Sequence, residues 1–194
     1  MTELAKTMDQ AVKVMAEKEG KYLTFQLANE EYGIGILKVK EIIGMMPITS
    51  VPQTPVFVKG VINLRGKVIP VVDLRLKFGM KEIEYTERTC IIVVEVTFEG
   101  ADVVMGIVVD AVSEVLNIRN EEIEETPRFG ASLDTNYILG MAKMEGGVKI
   151  LLEVDQVLSW GEVNAISVAK MELPSILPEG APEGVSEDAA EQVH

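Results

Sequence analysis

From Lys21 onward, apolar and polar residues alternate in short runs broken by Gly, Pro and Asn. A period of two with such breaks predicts β-strands joined by tight turns. KYLTFQLANEEYGIGI (21–36) reads as a strand, a polar turn around Asn29 and Glu30, and a returning strand. LKVKEIIG (37–44) mixes helical and extended signals, and its β-branched residues favour extended chain from Val39 onward. ITSVPQTPVFVKG carries two prolines that break regular structure and leave room for one helical turn after Pro55. GVINLRGKVIPVVDLR then gives a strand (Val61–Leu64), a tight turn (Arg65–Lys67) and a strand (Val68–Val72). LRLKFG follows as a brief helix ended by Gly79.

The same pattern returns after a charged connection at 81–88. CIIVVEVTFEG, VVMGIVVD and VSEVLNI read as strands, EEIEETPRFGASLD as an acidic loop region, and NYILGMAKMEGGVKILLEVDQVL as a hairpin with a closing helical turn. The ends differ. Residues 3–19 space Leu4, Met8, Ala11, Val12 and Met15 as in an amphipathic helix, so 1–20 is expected as a helical or frayed extension. Residues 161–194 form an acidic tail, expected to be disordered from about 172, where Pro, Gly, Glu and Ala dominate without an apolar stripe.

The two halves, about 21–88 and 89–160, repeat one another. YGIGILKVKEII precedes MGIVVDAVSEVL by a constant offset that aligns Gly33 with Gly106, Ile34 with Ile107, Val39 with Val112, Glu41 with Glu114 and Ile42 with Val115. GVINLRGKVIPVVDL aligns with GMAKMEGGVKILLEV, Gly60 with Gly140 and Gly66 with Gly146. Each half alone is a marginal core, and pairing them solves that problem. At the matched turns Arg65 and Lys67 stand where the other half has Glu145 and Gly147. The glycine is kept, and with it the expected turn geometry, while the charge is reversed. A turn that served solubility alone would be indifferent to sign, which leans Arg65 toward contact.

Composition narrows the function. The net charge is -13, about -7 of it on residues 1–160, which disfavours nucleic acid or an anionic membrane as partner. Only 5% of residues are aromatic, too few for base stacking or a ring-lined pocket. No apolar run is long enough to span a bilayer, and the first twenty residues lack a secretion signal, so a cytoplasmic protein is expected.

Catalytic groups are scarce. His194 is the one histidine and ends the tail; Cys90 is the one cysteine and sits in an apolar strand without a basic companion. No nucleophile–base pair or metal-binding set of cysteines and histidines is therefore expected. The Gly33–Gly35 pair lacks the third glycine of a dinucleotide loop, and no phosphate loop is present. Asp73, Asp110 and Asp155 could suggest a carboxylate metal site. Asp73 and Asp155, however, sit at strand ends before short helical turns, so caps or plain exposed carboxylates are expected rather than metal ligands. Glu121, Glu122, Glu124 and Glu125 read as a solvated loop. A β-rich scaffold with few reactive groups and exposed turns suits protein recognition better than turnover.

EEYGIGILKVKEI, TPVFVKGVINLRGKVIPVVDLRLKFG and VMGIVVDAVSEVL together resemble the CheW adaptors of bacterial chemotaxis, over residues 21–160. The resemblance implies an all-β fold of two five-stranded SH3-like barrels packed around a joint core, with short helices at the connections. It implies no catalysis and no cofactor. Implied partners are the regulatory domain of the CheA histidine kinase, the cytoplasmic tip of methyl-accepting receptors, and other CheW-like domains in array rings. Such a protein is held at the inner face of the membrane through receptors. Carried onto this chain, the receptor-binding groove comprises Val39, Glu41, Arg65, Gly106, Val112 and Val115, with Gly66 and Gly146 as turn glycines. Two alternatives stay open: a coupling protein of a non-motility chemosensory system, and a small-ligand-binding β-barrel.

Overall fold

The computed structural model describes residues 18–98, 100–127 and 135–157. The expected N-terminal helix and the acidic tail lie outside these residues, except for Lys18 and Glu19, which lead into the first strand. Among the described residues eleven strands are joined by turns and a few very short helices. They are β1 (Gly20–Leu27), β2 (Glu30–Gly35), β3 (Val39–Gly44), β4 (Val58–Leu64), β5 (Lys67–Asp73), β6 (Cys90–Phe98), β7 (Ala101–Val109), β8 (Ala111–Ile118), β9 (Ile123–Glu124), β10 (Ile138–Met144) and β11 (Gly147–Leu152). One-turn helices α1 (Leu74–Lys77) and α2 (Val154–Val157) follow β5 and β11, and 3-10 turns occupy Ile36–Lys38 and Asn120–Glu122. No helix among the described residues is long and apolar enough to cross a membrane.

Two sequence expectations change here. The first hairpin turn is Ala28–Asn29, with Glu30 already paired to Leu27. No helix follows Pro55: the Val58 N–H closes a single turn onto the Pro55 carbonyl at 2.9 Å, and the Asp73 N–H takes the Phe57 carbonyl at 2.8 Å. Phe57 packs on the central core, so the chain extends rather than coils.

The strands form two sheets, in the orders β8-β1-β2-β11-β10-β9 and β3-β6-β7-β5-β4. Under the sequence repeat, β3, β6, β7, β5 and β4 match β8, β1, β2, β11 and β10, so the two orders coincide strand for strand. The matching halves, however, are not the two sheets. The second sheet is residues 39–109 in one stretch, and the first combines β1 and β2 with everything from β8 onward. A boundary near residue 88 divides the repeat but cuts through the second sheet. Each half lends a hairpin to the other half's sheet, through parallel pairing of β2 with β11 and of β5 with β7. Exchange of this kind leaves the alternating pattern of every strand unchanged.

Each sheet curls around its own apolar cluster, and a third cluster lies between them. The second sheet encloses Ile62, Ile69, Val71, Ile91, Val93 and Val108. The first encloses Tyr22, Ile118, Ala142 and Leu151. Phe25, Leu27 and Ile34 meet Val72, Ile92, Val94 and Ile107 in the joint core. Alternating side chains thus serve both faces of a sheet, which explains why these strands read as nearly continuous apolar runs.

The curl is completed by a strap, not by pairing of the edge strands as in a closed barrel. After β3, Thr49 bridges Val61 of β4, with both N–H···O distances 2.9 Å. After β8, the two-residue β9 pairs with Met141 and Ala142 of β10, adding a sixth strand to that sheet. Gly60 and Gly140 are matched because the strap crosses them. A Cβ on Gly60, at φ +137°, would stand 2.0 Å from the Thr49 carbonyl oxygen; one on Gly140 would stand 2.9 Å from that of Glu124.

Candidate recognition site

Leu64 pairs with Lys67, leaving Arg65–Gly66 as a two-residue hairpin turn. Both turn residues have positive φ, +51° and +83°, the combination of a type I′ turn. Asn63 fixes the turn by accepting the Gly66 N–H at 2.8 Å. Asn or Gly ordinarily occupies the position of Arg65, since a long side chain gains nothing from the left-handed region. The counterpart turn at Glu145–Gly146 differs: Gly146 has φ +98°, but Glu145 does not share the positive φ of Arg65. The repeat therefore preserves the glycine and not the turn geometry.

The unusual backbone aims the guanidinium at Glu41 on β3. Nη2 pairs with Oε1, and Nη1 donates to Oε2 at 3.1 Å, a bidentate arrangement. The hydrogen bond to Glu41 raises the Arg65 pKa above its usual value. Arg65 is 71% exposed and Glu41 28%. Exposed pairs contribute little to stability, so the consequence of this one is orientation. It sets the direction of the guanidinium at the surface.

A β-bulge separates Val39 from Glu41. Val39 packs on the joint core, whereas Glu41 lies beside Val93 on the opposite face of the sheet. The same bulge recurs in β8, where Val112 pairs with Phe25 and Val115 with Leu23. Val39 and Val112 are thus partly buried against one core, while Val115 at 49% and Ile42 at 46% exposure stand outside it on matched edges. Cys90 lies between these edges, paired with Gly44 at the end of β3, and the nearby Val112 backbone partly offsets the burial that raises its thiol pKa.

Gly106 sits elsewhere. It is buried two strands in from Glu41, in the row Glu41, Val93, Gly106, Val71. A Cβ there would meet Ile91 Cγ2 at 2.7 Å and Val71 Cγ2 at 3.4 Å, so its place in the fold is a packing position. Ile42 was absent from the sequence-derived set, although its repeat partner Val115 was in it; the alignment of the halves carried that signal.

The carboxylates have structural partners. Asp73, only 4% exposed, caps α1 by accepting the N–H groups of Arg75 at 2.9 Å and Leu76 at 3.3 Å, and burial pushes its pKa up. Asp155 is not a cap, contrary to the sequence expectation. It lies inside α2 and binds Lys38, while the Glu153 carbonyl just before the helix accepts the Gln156 N–H at 2.9 Å and burial pushes the Glu153 carboxyl pKa up. Burial also raises the Cys90 thiol, leaving it a poor nucleophile. What these surfaces offer is shape, apolar edge and one fixed cation, which is chemistry for recognition.

The family model described as CheW-like domain matches residues 21–162, the span of both sheets. The chemotaxis protein CheW of Klebsiella aerogenes is 42% identical over 160 residues, covering 81% of this chain and 94% of that protein. The CheW protein of Bacillus subtilis is 34% identical over 139 residues, covering 71% and 86%. Protein FrzA of Myxococcus xanthus is 27% identical over 161 residues, covering 82% and 98%. The crystal structure of the scaffolding protein TtCheW from Thermoanaerobacter tengcongensis superposes with a TM-score of 0.64 at 36% identity, covering 74% of this chain and 95% of that one. With the duplicated two-sheet body and a match along all of it, the chain belongs to the CheW-like family.

Proposed function

We propose that this chain is a non-catalytic coupling protein of a chemosensory array. It joins the cytoplasmic tip of methyl-accepting receptors to the regulatory domain of a CheA histidine kinase, and meets other CheW-like domains in the array rings. The receptors hold it at the inner face of the membrane. The observation that carries this reading is that the CheW-like match spans both sheets and both straps. Arg65 and Glu41, with the apolar edges at Val39, Val112 and Val115, supply the receptor-binding surface, and Gly106 shapes the sheet beneath it. A guanidinium already oriented by a carboxylate loses little freedom on docking, which favours specific contact.

The second reading is a coupling protein that serves a non-motility chemosensory system through another kinase. Sedimentation of the full chain with a receptor-tip fragment and a CheA regulatory domain tests both. A ternary complex is expected. Binding of neither partner overturns the coupling reading, and binding only of a kinase paralogue's domain selects the second.

A further inference from the structure

Among the described residues the chain passes between the sheets only twice, at Ile36–Lys38 and at Asp110. Each crossing ends in a carboxylate staple. Asp110 Oδ2 accepts Arg75 Nη1 at 2.5 Å from α1, which follows β5 of the second sheet, and the Ala28 N–H at 2.7 Å from the first sheet's hairpin turn. Asp155, in α2 after the first sheet, takes Lys38 Nζ of the other crossing at 2.6 Å on Oδ2 and the Thr97 N–H of β6 in the second sheet at 3.0 Å on Oδ1. All four side chains are at least two-thirds covered.

We propose that these two staples act as one hinge lock, fixing how the sheets sit against each other. The joint core between the sheets is apolar and non-directional. Charge-assisted hydrogen bonds supply the direction it lacks. Repetition supports the assignment. By the alignment of the halves Arg75 corresponds to Asp155, and Leu37, beside Lys38, corresponds to Asp110. The same device therefore appears twice with its charges exchanged, and a chance surface pair would not recur at both crossings. The crossings lead directly into β3 and β8, the strands that bear Val39, Glu41, Val112 and Val115. The lock sets the spacing of those two edges.

Native-state amide exchange on the full chain tests this. Asp110→Asn should speed exchange of the Ala28 N–H by about tenfold or more and of the distant Thr97 N–H by at least about fivefold, with Ile92 and Leu151 unchanged. Asp155→Asn should do the reverse, and Glu82→Gln, which breaks the Lys59–Glu82 pair beside one sheet, should move neither. Unchanged Thr97 exchange in Asp110→Asn, or equal acceleration of every amide, overturns the lock. A second arm rests on the proposed function: Asp110→Asn should weaken binding of the receptor-tip fragment and spare the kinase domain. Exchange as expected with receptor binding unchanged would leave the lock standing and refute the groove as the receptor site.

Discussion

Arg65 combines two features that stability alone does not explain. It is a long side chain at positive φ, and its ion pair with Glu41 is exposed. A residue in a sparsely populated backbone region costs on the order of 1 kcal/mol. Arg65→Asn keeps the turn and removes that cost, so the folded state should gain about 0.5 kcal/mol by urea unfolding. Receptor-fragment binding should fall in the same variant. A stability loss of more than about 1 kcal/mol would show instead that the Glu41 pair holds the turn. Little of this was legible in the sequence. The charge reversal between Arg65 and Glu145 marked the position, but φ depends on how β4 meets β5.

Elements were more legible than their partners. Short apolar runs broken by Gly, Pro and Asn placed the strands, because successive side chains of the inner strands face one core and then the other. Strand pairing was hidden, since an exchanged hairpin buries the same residues as one kept within its half. The matched glycines were visible as matches, but their causes differ and required the structure. Gly60 has a backbone strap against it, which cannot yield, whereas Gly106 faces the methyl groups of Ile91 and Val71. Gly60→Ala should therefore cost about 3 kcal/mol or more, while Gly106→Ala costs about 1–3 kcal/mol through overpacking. Thermal unfolding of the two variants checks the order. Equal and small losses would contradict the strap, and loss of receptor binding in Gly106→Ala at full stability would move Gly106 from packing to contact.

At the scale of the molecule, the duplication yields two sheets of one topology with different surfaces. Helix α1 presents Arg75 to its crossing where α2 presents Asp155, and one hairpin turn carries Arg65 where the other carries Glu145. Equal frames with unequal charges suit a protein that holds dissimilar partners on one body. On the proposed function, one such surface, around Arg65, reads the receptor while another reads the kinase. The direct measurement is calorimetric titration of Arg65→Glu against a receptor-tip fragment and against the CheA regulatory domain. Reversing an interfacial charge, with Glu41 beside it, should cost on the order of 2 kcal/mol or more in receptor binding, about thirtyfold in Kd. Kinase binding should stay within about twofold of wild type, because a rim substitution away from an interface leaves it unchanged. Receptor affinity equal to wild type, or parallel loss of both partners, would rule out Arg65 as a receptor contact.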